Sequence, residues 1–356
     1  MRIDVSMIGP SGAGKTSMLT AIFMDAKRKL IGHSSRININ PDGNITVANI
    51  KNAISKFEQT ISLESNTVTT IAGSGTKIEY KFRFSIPNAP QPVDVKILDY
   101  PGGWLGTEKY AEVENHIYGS SAMLIPIPAD VLLELKRLKG QNSAMYYEAE
   151  KILDIKNVKS SVLSWLSQRM KKEQKSLLIF VPIRCEHCFD DNGGNRDLSA
   201  NLHDAVNVFY VNEFAFTEEQ SKFLKIEVHA IDTYGVVELK DINWTNSPHG
   251  HAMLSNFVLR KNGTEIKAKG AYGILSSIIH FRLLEYAEKQ GISIGELEEK
   301  IRNTGLFQKI KILLFGDSRK KELIALQEAE NAAILAMDIL KNVDAQSNAK
   351  RRKDII

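Results

Sequence analysis

The chain has 356 residues, 43% of them hydrophobic, enough to bury a sizeable core and more than one compact α/β domain needs. Its 46 basic and 42 acidic side chains are mixed along the sequence and leave a formal charge of +4, which excludes a chain-wide polyelectrolyte demanding nucleic acid. Two cysteines cannot build a disulfide framework, the longest apolar runs fall far short of the ~20 residues of a membrane span, and the chain opens directly into a strand pattern without a signal peptide, so a soluble cytoplasmic protein is expected.

Ile3, Val5, Met7 and Ile8 read as a short buried strand, and Ser17 to Leu30, with Met18, Leu19, Ile22 and Phe23 at helical spacing, as a helix. Between them Gly9, Pro10, Ser11, Gly12, Ala13, Gly14, Lys15 and Thr16 fit G-x-x-x-x-G-K-[ST] at every fixed position. Glycines let such a loop curl so that its N–H groups and the positive end of the helix point at phosphate oxygens. Lys15 then reaches the terminal phosphates, Ser17 follows at the helix start, and Thr16 offers a hydroxyl to Mg²⁺.

Asn38 to Asn44, with Pro41-Asp42-Gly43 inside it, reads as a turn, and Val47 to Ile61 as a helix. The threonine-rich Thr67 to Ile71 admits two readings, the arm of a hairpin or a mobile segment that brings a threonine to Mg²⁺ and the γ-phosphate. Thr67, Thr69, Thr70 and Thr76 are all candidates, with Thr70 standing for the group as a metal ligand. Ile78 to Ile86 alternates cleanly as a strand. The next strand, Val93 to Leu98, leads into Asp99-Tyr100-Pro101-Gly102-Gly103-Trp104. A carboxylate at the end of a buried strand can hold the Mg²⁺ water shell, and a glycine three residues later can bring its N–H to a γ-phosphate.

Glu108 to Tyr118 predicts a short helix, Ala122 to Ile127 a buried strand, and the stretch from Asp130 to Lys172 helices with a break near Gly140. Leu177 to Val181 reads as a central parallel strand running into Ile183-Arg184-Cys185-Glu186. Cys185 and Cys188 lack partners for a zinc cage and are expected to pack at the base of a pocket. Leu198 to Phe214 reads as a helix, Lys225 to Asp232 as a last strand and Thr233-Tyr234-Gly235 as a loop. Beyond it, Leu254 to Lys267 predicts a hairpin turning at Asn262-Gly263, Ala271 to Gln290 a helix, and about Ser318 to Asn342 a helix with one apolar stripe.

Up to about residue 235, the phosphate loop, the D-x-x-G after the next strand but one, and a base-recognition pair in order resemble a Ras-like GTPase of the TRAFAC class. Asp99-Tyr100-Pro101-Gly102-Gly103 and Ala230-Ile231-Asp232-Thr233 look most like the double-GTPase proteins of bacterial conflict operons. The resemblance implies an α/β three-layer sandwich with a mostly parallel sheet over residues 1–245, and a hairpin and helical extension over 246–356 packed on it. It implies GTP or GDP with Mg²⁺ as ligands and a protein effector or activating partner. Lys15, Thr16, Asp99 and Gly102 would act on the phosphates and metal; Arg184, Glu186, Ile231 and Asp232 would form the base end, where loop amides read the purine. Ile183 to Glu186 departs from the N-K-x-D pattern, and Gly103 stands where many small GTPases carry the glutamine that orients water. The implied function is a GTP-hydrolysing switch with slow intrinsic hydrolysis; an ATPase or phosphotransferase and a non-hydrolysing scaffold are the alternatives.

Overall fold

The structure, a computed structural model, describes residues 2–33, 38–41, 43–62, 67–68, 77–85, 93–104, 107–141, 143–188, 199–247, 250–259 and 267–289. The strands are β1 (Arg2–Met7), β2 (Asn38–Pro41), β3 (Ile61–Ser62), β4 (Thr67–Val68), β5 (Ile78–Ser85), β6 (Val93–Asp99), β7 (Ala122–Pro128), β8 (Ser176–Ile183), β9 (Leu224–Val228), β10 (Val237–Ser247) and β11 (Gly250–Leu259). The helices are α1 (Lys15–His33), α2 (Asn44–Thr60), α3 (Ala111–Gly119), α4 (Ala129–Leu138), α5 (Ala144–Leu153), α6 (Ile155–Met170), α7 (Ser199–Val206), α8 (Asn212–Phe214), α9 (Glu218–Phe223) and α10 (Ala271–Lys289).

Seven described strands form the main sheet in the order β2-β5-β6-β1-β7-β8-β9. β6, β1, β7, β8 and β9 are parallel, while β5 runs antiparallel to β6 and β2 antiparallel to β5. A parallel sheet needs both faces covered, and the alternation of side chains supplies two apolar surfaces. Ile3, Val5, Met7, Leu124, Ile179 and Val181 join one core with Met18 and Ile22 of α1 and Ile274 and Ile278 of α10. Met123, Ile125, Leu178 and Phe180 join the other, under α3 to α8 and around the fully buried Trp165. The α/β three-layer sandwich expected from the sequence is the observed architecture. Because β1, β6, β7, β8 and β9 point the same way, the loops that follow them gather at one edge of the sheet.

Several local expectations are corrected. Asn38 to Pro41, read as a turn, is the edge strand β2, and Pro41 closes it at a place where a missing N–H costs little. Thr67–Val68 pairs with Ile61–Ser62, outside the main sheet; Thr69, Thr70 and Thr76 lie outside the described residues. The break at Gly140 separates α4 from α5, and a left-handed Asp154 (φ 49°) separates α5 from α6, so the long helical stretch is three helices. The C-terminal hairpin is β10–β11, paired over nearly its whole length around residues 248–249. Leu254 to Leu259, expected to be its first arm, is the second, and Asn262-Gly263 lies outside the described residues, as does the helix expected near 318–342. The boundary expected at 245/246 falls inside β10, and α10 shares the core of α1 and β1.

Candidate functional site

At the common edge, β1 ends in the loop Ile8 to Gly14 and α1 begins at Lys15. Gly12 (φ 73°) and Gly14 (φ 81°) take the left-handed conformation that lets the loop curl, and a Cβ at Gly14 would also stand 2.9 Å from Ile183 Cδ1. Lys15 is buried, and its ammonium donates to the carbonyls of Gly9 (3.0 Å) and Pro10 (2.9 Å) inside the loop. Thr16 Oγ1 donates to Asp99 Oδ2 at 2.9 Å, across 83 residues of sequence. Burial pushes the Asp99 carboxyl up and the Lys15 ammonium down, while their mutual attraction opposes both movements. Burial and Asp99 also push up the phenol of Tyr80, which lies beside this pair on β5.

Gly102 meets the same loop. A Cβ placed there would fall 2.3 Å from both Pro10 C and Ser11 N, so the Gly102 backbone lies directly on the loop and no larger residue fits without moving it. Gly103 faces open space. After it, Thr107 donates through both N–H and Oγ1 to Trp104 O, and Lys109 Nζ lies 6.0 Å from the Trp104 ring centre. The sequence predicted each of Gly9 to Thr16, Asp99 and Gly102, and the fold brings them together.

The neighbouring cluster, where the sequence placed a base end, is built differently. Arg184 follows β8 with φ 56°, a strained conformation for a non-glycine residue, and its guanidinium donates from Nη2 to Gly12 O at 2.6 Å. Glu186 is fully enclosed, and burial together with Asp232 pushes its carboxyl up to about 8, against the pull of the Glu186 and Tyr234 backbone N–H groups. Cys185 donates its thiol to Ile231 O at 2.8 Å, and both cysteines are buried, as their packing role required. Ile231 and Asp232 do lie at this end, but their amides are turned into the fold, to Pro182 O (2.9 Å) and Lys269 O (3.1 Å). Of the amides in the loop expected to read a purine, these two are thus engaged within the fold, the second through the bridge between Asp232 and Lys269. Gly235 (φ 72°) closes the loop against Lys267, whose carbonyl would stand 2.2 Å from any Cβ.

Two side chains here were not singled out as site residues in the sequence. Tyr234 is half-buried beside Glu186 and Arg184, and its hydroxyl hydrogen-bonds to the Ser17 side chain. Asp130 is buried at the start of α4, where Oδ2 accepts from Ser255 Oγ at 2.6 Å and lies 3.7 Å from Arg184 Nη1. Both meet the site through tertiary contacts, which no short motif announces.

The residues present fit a Mg²⁺-nucleoside triphosphate. Mg²⁺ is held by one or two protein groups together with phosphate oxygens and water, rather than by an all-protein cage. Thr16 and Asp99 offer that partial set, and no cluster of three or more acidic, histidine or cysteine ligands occurs among the described residues.

No protein-family model matches the chain, and no curated protein matches it. Among solved structures, the signal recognition particle receptor SRb-GTP/SRX complex from Chaetomium thermophilum is similar at 15% identity, over 65% of this chain and 91% of that one, with a TM-score of 0.33. The S. cerevisiae Ski7 GTPase-like domain is similar in two structures, one bound to GTP (13% identity, TM-score 0.30) and one bound to GDP and inorganic phosphate (14%, 0.31). Each of these covers 65% of this chain, which spans 43% of the Ski7 chains. Likenesses of this size decide neither ligand nor activity. Among the described residues, no helix is long and apolar enough to cross a membrane.

Proposed function

We propose that the protein binds a guanine nucleotide with Mg²⁺ and acts as a GTP-hydrolysing switch that signals to a protein partner. The observation that carries this reading is the Thr16–Asp99 hydrogen bond of 2.9 Å, with Lys15 inside the loop and Gly102 lying on it. These groups, far apart in sequence, meet where a triphosphate and its metal require a hydroxyl, a carboxylate, an ammonium and a close backbone approach. Bound Mg²⁺ would neutralise charge that develops on the phosphates. Lys15 and the loop amides would hold the β- and γ-phosphates, Thr16 and Asp99 the metal, directly or through water, and Gly102 would sense the γ-phosphate. Thr70, or another threonine of that segment, would add the switch contact to the metal.

At the base end, Arg184 would pack along the base while bracing the loop at Gly12, and Glu186 would accept from guanine N1–H and N2–H₂. Gly103 has no side chain to orient water, so intrinsic hydrolysis would be slow, and a residue supplied by a partner would accelerate it by ~10³ to 10⁵. The resemblance to conflict-system GTPases supports a place for that partner in a bacterial defence response, and cysteine usage supports a cytoplasmic setting.

The test is a thermal-unfolding shift. GTP with Mg²⁺ at a hundred times its dissociation constant stabilises the folded state by about 2.7 kcal/mol, which raises the melting temperature by several degrees. Lys15→Ala should lose that shift relative to its own baseline. An undiminished shift in the variant would refute the phosphate assignment.

A further inference from the structure

The hairpin β10–β11 enters the chain between the loop at Asp232 to Gly235 and helix α10, and it is seated on the sandwich rather than projecting from it. Trp244 and Met253 pack against the core beneath α4 to α8, and Trp244 Nε1 donates to Glu134 Oε1 at 2.7 Å. β10 lies against the turn Glu186–Cys188, and β11 lies against α5 and against β4, which carries Thr67. One element thus touches both the base end and the threonine-bearing segment.

A chain of three polar contacts runs from this hairpin to the phosphate loop. Ser255 Oγ on β11 donates to Asp130 Oδ2 at 2.6 Å. The same oxygen faces Arg184 Nη1 at 3.7 Å, and Arg184 Nη2 donates to Gly12 O at 2.6 Å. Asp130 is 1% exposed and its Oδ1 has no hydrogen-bond partner among the described residues; Ser255 and Arg184 meet its Oδ2, and its charge also reaches Glu186 and His187. A buried carboxylate with so few partners depends on each of them, and losing one is costly. Arg184 is equally dependent: its left-handed backbone persists only where the surroundings hold it.

Resting on the nucleotide-site reading above, we infer that Asp130 is a positioning residue, closed by Ser255 of the hairpin, that holds Arg184 on the Gly12 carbonyl and so couples the seat of β10–β11 to the phosphate loop. Lifting the hairpin removes the Ser255 hydroxyl from Asp130, loosens Arg184 and frees the loop to release its ligand. Coupling of this kind is reciprocal, so a ligand that orders the loop tightens the hairpin by the same factor.

The experiment is amide hydrogen exchange on the full chain without nucleotide, comparing wild type with Ser255→Ala, Ser255→Thr and Asp130→Asn. Peptides spanning Gly9 to Thr16 should exchange at least threefold faster in Ser255→Ala and in Asp130→Asn, and at the wild-type rate in Ser255→Thr, which keeps the hydroxyl. A merely structural role for Ser255 would speed exchange in β11 and leave the loop unchanged; that result, or a Thr variant indistinguishable from Ala, overturns the inference. If Asp130→Asn does not fold, the Ser255 pair decides alone. Failure of the wild type to bind any nucleotide would defeat the functional reading, while the loop exchange would still decide the coupling. Where nucleotide binds, Ser255→Ala should speed its release severalfold with little change in association.

Discussion

The proposed phosphate end and the proposed base end of the site follow different rules of construction. At the phosphate end, a contiguous loop supplies backbone geometry, and two further residues, Asp99 and Gly102, arrive on the adjacent strand β6 and the turn after it. At the base end, Arg184, Glu186, Asp232, Tyr234 and Asp130 come from three separate segments, and their side chains depend on one another and on the hairpin. A backbone-built site tolerates little change in its few glycines. A side-chain-built site can keep its geometry under a wider range of compositions.

The comparison breaks most visibly at the phosphate end. Lys15→Ala should reduce triphosphate affinity at least 100-fold, measured by equilibrium titration, because among the described residues no other buried ammonium lies at the loop; a loss below tenfold would contradict the assignment. Gly102→Ala should be nearly as damaging. Its Cβ meets backbone, which cannot rotate away as a side chain can, so destabilisation by about 1–3 kcal/mol is expected together with loss of the γ-phosphate response. A variant with wild-type melting and wild-type preference for triphosphate over diphosphate would show that the loop and the turn move apart freely.

Asp99→Asn sharpens the metal claim with a smaller effect. It should weaken Mg²⁺-dependent binding about tenfold more than Mg²⁺-free binding, and equal losses in both conditions would remove Asp99 from the metal.

At the base end the sign of a pH effect is informative. The Glu186 carboxyl is raised to about 8 from an ordinary 4.5, so the folded protein holds a proton that the unfolded chain gives up. Stability of the nucleotide-free protein should therefore fall as pH rises between those values, and Glu186→Gln should flatten that slope. Guanine presents two donors and needs the ionised carboxylate, so its binding should release a proton near pH 7 and strengthen toward pH 8, as read by calorimetry in buffers of different ionisation heat. Adenine presents an acceptor beside a donor and suits the protonated acid, so its affinity would weaken over the same range. The smallest effect belongs to Gly103→Gln: the open space there admits the side chain, and single-turnover GTP cleavage should rise severalfold. Fast cleavage by the unaltered protein would refute the claim of slow intrinsic hydrolysis.

The same contrast explains what was legible in the sequence. The loop from Gly9 to Thr16 could be read because glycine conformations and a lysine at fixed spacing dictate its geometry locally, and β6 announced Asp99 through a buried strand ending in a charge. The parallel core was legible in runs such as Leu177 to Val181, which are apolar on both faces. Asp130 was not, because a carboxylate at the start of a helix looks like an ordinary favourable helix end until Ser255, 125 residues away, is seen to close on it. The directions of the Ile231 and Asp232 amides were not legible: the first extends the β8–β9 pairing to Pro182, and the partner of the second, Lys269, is set by how the chain returns after the hairpin. The hairpin itself was displaced by one arm, since Asn-Gly is the stronger local turn signal while the long register of β10 with β11, from Val237 opposite Leu259 to Ser247 opposite Gly250, decides the pairing.

The most direct test of the central claim is the affinity of the purified protein for non-hydrolysable GTP and ATP analogues, each with and without Mg²⁺. The account predicts Mg²⁺-dependent binding with a guanine preference of tenfold or more, about 1.4 kcal/mol. Equal or tighter binding of the ATP analogue would contradict the base assignment, and no binding of either would contradict the site as a whole.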